Sequence, residues 1–257
     1  MLPTVGSDSL KIIRYAAEVA GRTLGIAAMA NLVPDAARRA ALETSGNLIN
    51  TAAQQLVGAY FARLTFENFD QRRSFGKGRS VDRGFDAAIS TSSEKIRTSL
   101  PDRSTSNPDY RAIFPHGAEE FTSPTVKEDA DLADNLHAAV SDSNLTVKAE
   151  VLTLLDTIIP VVGPAATEIV NGEKQLNSLF LSEQTGRKLV VDTLWEQRKA
   201  VETALGRGGR GLARFVFFDF RKNGEGDATD TTPAPDAPAP PADPNTPAPP
   251  VDPTTPK

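Results

Sequence analysis

The sequence predicts an all-α protein: an antiparallel helical bundle of two long helical pairs, joined by an irregular middle segment and followed by a disordered, proline-rich tail. Three observations lead to this prediction. Apolar residues recur at three- and four-residue steps, strand patterns are nearly absent, and eleven of the 19 prolines follow residue 222. We therefore divide the chain into a body, 1–222, and a tail, 223–257. The body has halves of about 1–100 and 125–222, with 101–124 as the connection.

The first helical pair is predicted between Ser7 and about Asp70. Pro34 ends the first helix, and Asp35 can cap the second. The short turn between them favours an antiparallel hairpin of the coiled-coil kind. The first apolar face consists of Leu10, Ile13, Ala17, Ala20, Leu24 and Ala28, and the second includes Leu42, Ile49, Tyr60 and Leu64.

The segment after this pair interrupts the helical pattern. Gly76, Gly78 and five basic residues in Gln71–Arg83 predict a break, and a shorter helix follows from about Ser80 to Leu100. Residues 101–124 contain four prolines and are predicted to be irregular. The aromatic residues of the run 110–117 are expected to anchor this connection to the bundle.

The second helical pair is predicted from Pro124 to about Leu205. Pro160 and Pro164 are expected to kink or stop the chain between two helices. The run Phe215–Phe220 is the one stretch with β-strand character, because it is rich in aromatic residues.

The charge distribution separates the tail from the body. The tail has six acidic residues and one lysine, which accounts for the whole net charge of −5, so the body has 27 acidic and 27 basic residues. Such a body has no overall field that attracts or repels nucleic acid. Any electrostatic function must therefore come from local patches.

Composition also limits the chemistry. The chain has no cysteine and only two histidines, His116 and His137, neither at a metal-ligand spacing from the other. We interpret the acidic run 128–134 as a solvated helix face. We predict no catalytic residue, no metal and no cofactor, and a protein that is not an enzyme.

Two basic, glycine-containing segments could bind nucleic acid. One precedes Ser80 and the other lies between residues 206 and 211, each with phenylalanines nearby. Guanidinium and ammonium groups bind phosphates, and interleaved aromatic rings stack on bases. The candidate residues are Arg72, Arg73, Lys77, Arg79, Arg207 and Arg210.

The leading functional prediction is a non-catalytic helical bundle that acts through protein–protein contacts or self-assembly, with the tail as a flexible spacer. Four phenylalanines near the end of the body should pack on the body or on another subunit. These predicted interface residues are Phe215, Phe217, Phe218 and Phe220. The tail could instead be a ligand for a proline-binding partner.

Nucleic-acid binding is the first alternative, and an enzyme with an unrecognised site near Tyr110, Arg111 and His116 is the second. No eighteen apolar residues run together, which predicts no membrane span. The N-terminus lacks the layout of a signal peptide, so we expect a cytoplasmic protein.

Overall fold

The computed structural model describes residues 1–220, apart from the side chain of Arg207. The chain divides into two units, Met1–Phe218 and Asp219–Lys257. The predicted tail, 223–257, lies outside the described residues. Within those residues the secondary structure is helical and contains no strand, which confirms the predicted all-α class.

The helices begin where the sequence offers caps. The Asp8 carboxylate accepts a hydrogen bond from the Lys11 N–H (3.0 Å), and Asp35 accepts one from the Ala37 N–H (2.8 Å). The helices are α1 (Ser9–Ala27), α2 (Ala36–Thr65), α3 (Gln71–Ser99), α4 (Pro108–Ile113), α5 (Glu119–Thr122), α6 (Val126–Asp142), α7 (Lys148–Leu205) and α8 (Arg210–Val216). A π-helical turn, Phe66–Asp70, joins α2 to α3, and a 3₁₀ turn, Arg207–Gly209, precedes α8.

Two long antiparallel helices organise the body. The helix α7 packs along α2 and α3 in turn, because α2, the π-turn and α3 run without interruption from Ala36 to Ser99. Contacts at three levels fix this register: Leu56 with Gly186, Gly78 with Ile169, and Lys95 with Glu150. The first half of the sequence therefore supplies one member of the long pair, α2 with α3, and the second half supplies the other, α7. The remaining helices pack against the two ends of this pair.

The expected break at Gln71–Arg83 is wrong, since this segment is the first part of α3. The reason is tertiary packing. A Cβ atom on Gly78 would lie 2.5 Å from the Ile169 Cδ1 atom, so the missing side chain lets α3 approach α7 closely. The basic side chains lie on the remaining surface of the helix.

The predicted stop at Pro160 and Pro164 is also wrong, because α7 continues through both residues. A proline inside a helix costs about 3 kcal/mol. Buried residues on both sides of the prolines offset this cost by packing against α3 and α6. They include Val151, Leu155, Val162, Ala165 and Ile169.

Each end of the long pair has its own core. At one end α1 packs on α2 and α7, and Ile12, Val19, Leu42, Ile49 and Leu194 are buried. At the other end α4, α5 and α6 cover α3 and α7. Tyr110 and Phe114 from the connection are buried there, as the aromatic run predicts, and the Tyr110 hydroxyl lies 2.7 Å from the Ser93 Oγ atom.

The β-prone run Phe215–Phe220 does not form a strand. Phe215 and Val216 are the last residues of α8, which packs on α1 and α7, and residues 217–220 are irregular. Local aromatic propensity is overridden here because a helix places Ala213 and Val216 against the body.

Candidate functional site: the two-helix waist

The middle of the long helical pair forms a waist, which we define as residues 64–77 and 170–182. On one border α1 begins at Ser9, whose hydroxyl donates to Glu183 of α7. On the other border α6 begins at Val126, beside Gly78 and Ile169. Between these levels the π-turn and the first part of α3 pack on α7.

Large apolar side chains are exposed on this waist. Phe69 is 71% exposed, Leu181 is 54%, Phe180 is 40% and Phe75 is 36%. The π-turn contributes directly: Phe66 is buried and its ring reaches Gly172, whereas Phe69 of the same turn points into solvent. These four side chains make the waist a candidate contact surface.

Two grooves run between the long helices at this level. One has a volume of about 350 Å³, with apolar Leu176 and Phe180 set among polar residues: Arg63, Glu67, Gln71, Glu173 and Asn177. The other is a wider and shallower groove of about 880 Å³. Its lining includes Phe66, Asp70, Arg73, Ser74, Glu168 and Gly172.

A buried ionic cluster holds the α1 border of the waist together. Glu183 is 0% exposed, and its carboxylate accepts hydrogen bonds from Ser9, from Arg63 and from the Arg187 guanidinium at 2.6 Å. Burial acts to raise the pKa of Glu183, but these hydrogen bonds outweigh it and lower that pKa below the usual value. The cluster joins α1, α2 and α7, so its role is to fix the position of α1.

An acidic cluster lies near the α6 border. Asp129, in the first turn of α6, is 1% exposed, and its Oδ2 atom has no hydrogen-bond partner among the described residues. Burial, followed by the charges of Asp82 and Asp86 on α3, raises the pKa of Asp129 to about 7. Interpreting the run 128–134 as a solvated face was therefore wrong for this residue.

The first set of predicted nucleic-acid-binding residues lies on α3, in and beside the waist. Arg72 and Arg79 are exposed and seven residues apart, which places them on one side of the helix. Arg73 forms an ion pair with Asp70 (3.5 Å), and Lys77 forms one with Glu168 of α7 (2.6 Å). Two of these four basic groups are thus engaged by carboxylates.

The second set lies at the far end of α7, away from the first. Arg207 is in the 3₁₀ turn, and Arg210 is the exposed first residue of α8. Lys77 of the first set pairs with Glu168 of α7, whereas the second set follows the end of α7 at Leu205. About 37 residues of helix, or roughly 55 Å, therefore separate the two sets. The structure does not bring the two sets into one surface.

Two of the predicted interface phenylalanines, Phe215 and Phe218, contact side chains of α1. Phe217 is buried, and the Phe218 ring lies 4.8 Å from the Tyr15 ring. The Arg22 guanidinium lies 4.6 Å from the centre of the Phe215 ring and 4.1 Å from that of Phe218. Phe215 keeps an exposed edge, and Phe220 belongs to the second unit.

The residues considered for an unrecognised enzyme site differ in their exposure to solvent. Tyr110 is in the core, whereas Arg111 and His116 are exposed. His137 pairs with Asp156 on the surface (3.0 Å). Among the described residues no group of three or more His, Cys, Asp or Glu side chains could hold a metal ion.

Sequence reasoning missed Glu183 and Asp129, the two carboxylate side chains that are buried within residues 1–220. The pair Glu183–Arg187 has the four-residue spacing of an ordinary surface ion pair on a helix. Asp129 stands in an acidic run at a helix start, where carboxylates are favoured by the helix dipole. Neither pattern distinguishes a buried group from a solvated one.

Within residues 1–220 one helix, Lys148–Leu205, is long and apolar enough to cross a membrane by length and composition. Its most apolar 18-residue window has a mean hydropathy of 1.5 and is 28% buried. Because a central helix of a bundle meets the same criterion, the absence of a membrane span stays a prediction. No family model, curated protein or solved structure matches the chain.

Proposed function

We propose that this protein is a non-catalytic helical bundle that works by protein–protein contact, and that the waist is the surface through which two copies associate. The observation that carries the proposal is the exposure of Phe69, Phe75, Phe180 and Leu181 at the level where the π-turn crosses α7. Burying such side chains against another protein removes apolar area from water.

The charges of the waist favour a second copy as the occupant. Residues 64–77 contain three bases and two acids, and residues 170–182 contain one of each, which leaves a net charge of +1. The residues before 223 have a formal charge of zero, so the body itself contributes no long-range repulsion between two copies. Two antiparallel helical pairs related by a two-fold axis form a four-helix arrangement, a common way to bury such a face.

Sedimentation velocity over a range of protein concentrations tests the proposal. We expect the wild-type protein to associate reversibly and the variant Phe69→Ser/Leu181→Ser to remain monomeric. Each serine substitution removes about 1 kcal/mol of association free energy, and each occurs twice in a two-fold contact. The total loss of about 4 kcal/mol should lower the association constant roughly a thousandfold.

The matched control is Leu32→Ser/Leu48→Ser, which replaces two exposed leucines outside the waist and should leave association unchanged. A wild-type protein that stays monomeric at about 100 μM would refute self-association at this surface. Equal weakening by both double variants would refute the waist as its location.

Nucleic-acid binding is the second candidate, and it is favoured by the exposed pair Arg72 and Arg79 with Phe69 just before them. The residues from Gln71 to Val81 contain four bases and no acid. This candidate predicts retention on heparin at about 50 mM salt that is lost in Arg72→Gln/Arg79→Gln. The proline-binding partner of the tail and the cytoplasmic location stay predictions.

A further inference from the structure

A cavity of about 460 Å³ lies between the end of α7, the glycine turn and α8. Arginines dominate its lining, with one carboxylate and one aromatic residue: Arg198, Glu202, Arg210, Arg214 and Phe217, together with Gly206, Gly209 and Ala213. Three guanidinium groups and one carboxylate give the lining a formal charge of +2.

The pairing of these charges leaves two arginines available. Arg198 donates to the Glu202 carboxylate across one turn of α7 (3.0 Å). Within residues 1–220, Arg210 and Arg214 have no ion-pair partner, and both are exposed. They are four residues apart, and like charges at this spacing on one helix face repel each other. A bound anion would remove that repulsion.

We propose that this cavity binds a phosphate ester that carries an apolar or aromatic group. Guanidinium groups present paired N–H donors that match the oxygen atoms of phosphate, and a formal charge of +2 complements a phosphate monoester. The volume lies within the range of small-molecule sites and exceeds that of a bare phosphate. Phe217 and Ala213 supply the apolar wall for the remainder of the ligand.

Isothermal titration calorimetry with phenyl phosphate and with pyrophosphate tests the proposal on the full chain. We expect saturable binding of phenyl phosphate, weakened roughly a hundredfold in Arg210→Gln/Arg214→Gln because two charge-assisted contacts are lost. The conservative variant Arg214→Lys keeps the charge without the paired donors and should weaken binding about tenfold. Pyrophosphate, which lacks the apolar group, should bind more weakly than phenyl phosphate.

The matched control is Arg72→Gln/Arg79→Gln, which removes the same charge from exposed positions on α3 and should bind phenyl phosphate as the wild-type protein does. Both double variants should unfold at the wild-type temperature or above, because the replaced side chains are exposed. Absence of saturable heat up to about 10 mM of either probe would overturn the site. Equal weakening by the two double variants would also overturn it, because that result indicates nonspecific charge screening.

A third titration with a short single-stranded oligonucleotide separates a small phosphate ester from nucleic acid. We expect any oligonucleotide binding to be weaker than that of phenyl phosphate and to depend on Arg210 and Arg214. Oligonucleotide binding that is tighter, and is lost in the α3 control variant, would replace this proposal with the nucleic-acid candidate. Self-association at the waist is measured separately, so failure of either proposal leaves the other unaffected.

Discussion

The buried carboxyl of Asp129 should make the stability of the protein depend on pH in an unusual direction. Its pKa rises from 3.8 to about 7 in the folded chain, because of burial and the neighbouring Asp82 and Asp86. Between these pH values the folded state keeps a proton that the unfolded state has lost. Stability contributed by this group is therefore present below about pH 4 and lost as the pH rises to about 7.

The variant Asp129→Asn removes this ionisation while preserving the shape of the side chain. A difference of about three pKa units at 1.36 kcal/mol each gives roughly 4 kcal/mol as the upper bound of the loss. We expect the variant to match the wild-type protein near pH 4 and to be more stable near pH 8, by up to about 4 kcal/mol.

Urea unfolding followed by far-ultraviolet circular dichroism at several pH values between about 4 and 8 measures this difference. Titrating groups that do not interact with residue 129 behave alike in the two proteins, so their contributions cancel in the comparison. The altered titration of Asp82 and Asp86 is part of the measured difference. Asp131→Asn, an exposed change on the same helix, is the control and should show no pH-dependent difference from wild type. A stability difference between Asp129→Asn and wild type that stays constant across the pH range would show that the Asp129 carboxyl does not have a raised pKa in the folded protein.

Two further changes test the packing at the borders of the waist. Glu183→Gln should destabilise the fold by about 3–5 kcal/mol in chemical denaturation, because the partly buried guanidinium groups of Arg63 and Arg187 lose their shared buried carboxylate. The control Glu202→Gln, at an exposed ion pair, should lower the free energy of unfolding by less than about 1 kcal/mol. Equal losses of stability in the two variants would contradict the claim that burial makes Glu183 important. Gly78→Ala should lower stability by about 1–3 kcal/mol through its clash with Ile169, whereas Gly76→Ala has free space and should raise it by up to about 1 kcal/mol. The same sign for both glycine variants in thermal unfolding would argue against the close approach.

The helical class and several helix ends could be predicted from the sequence because they depend on local signals. Asp8 and Asp35 provide caps at the predicted starts, and α7 ends at Leu205, directly before Gly206. Gly206 has φ of +67°, a conformation that favours glycine and ends the helix.

The rest depended on contacts distant in sequence. Gly78 and Pro160 both argue locally against a helix, yet packing on α7 and α3 keeps both segments helical. The burial of Glu183 and Asp129 follows from where α1 and α6 begin on the long pair, which periodicity alone does not determine. The waist exists because α2 and α3 from the first half of the sequence pack along α7 from the second half. The sequence did not predict the π-turn, and therefore did not predict that Phe69 is exposed.

The most direct test of association through the waist is a distance measured between two copies. The chain has no cysteine, so a spin label on Asn177→Cys, in the narrower groove, is unique in each copy. Pulsed electron–electron double resonance should give an inter-copy distance below about 40 Å, because helices of apposed pairs pack within about 10 Å of one another. The signal should disappear in the Phe69→Ser/Leu181→Ser background. Absence of an inter-copy signal in the wild-type background, or a signal unchanged in the double variant, would contradict association through the waist.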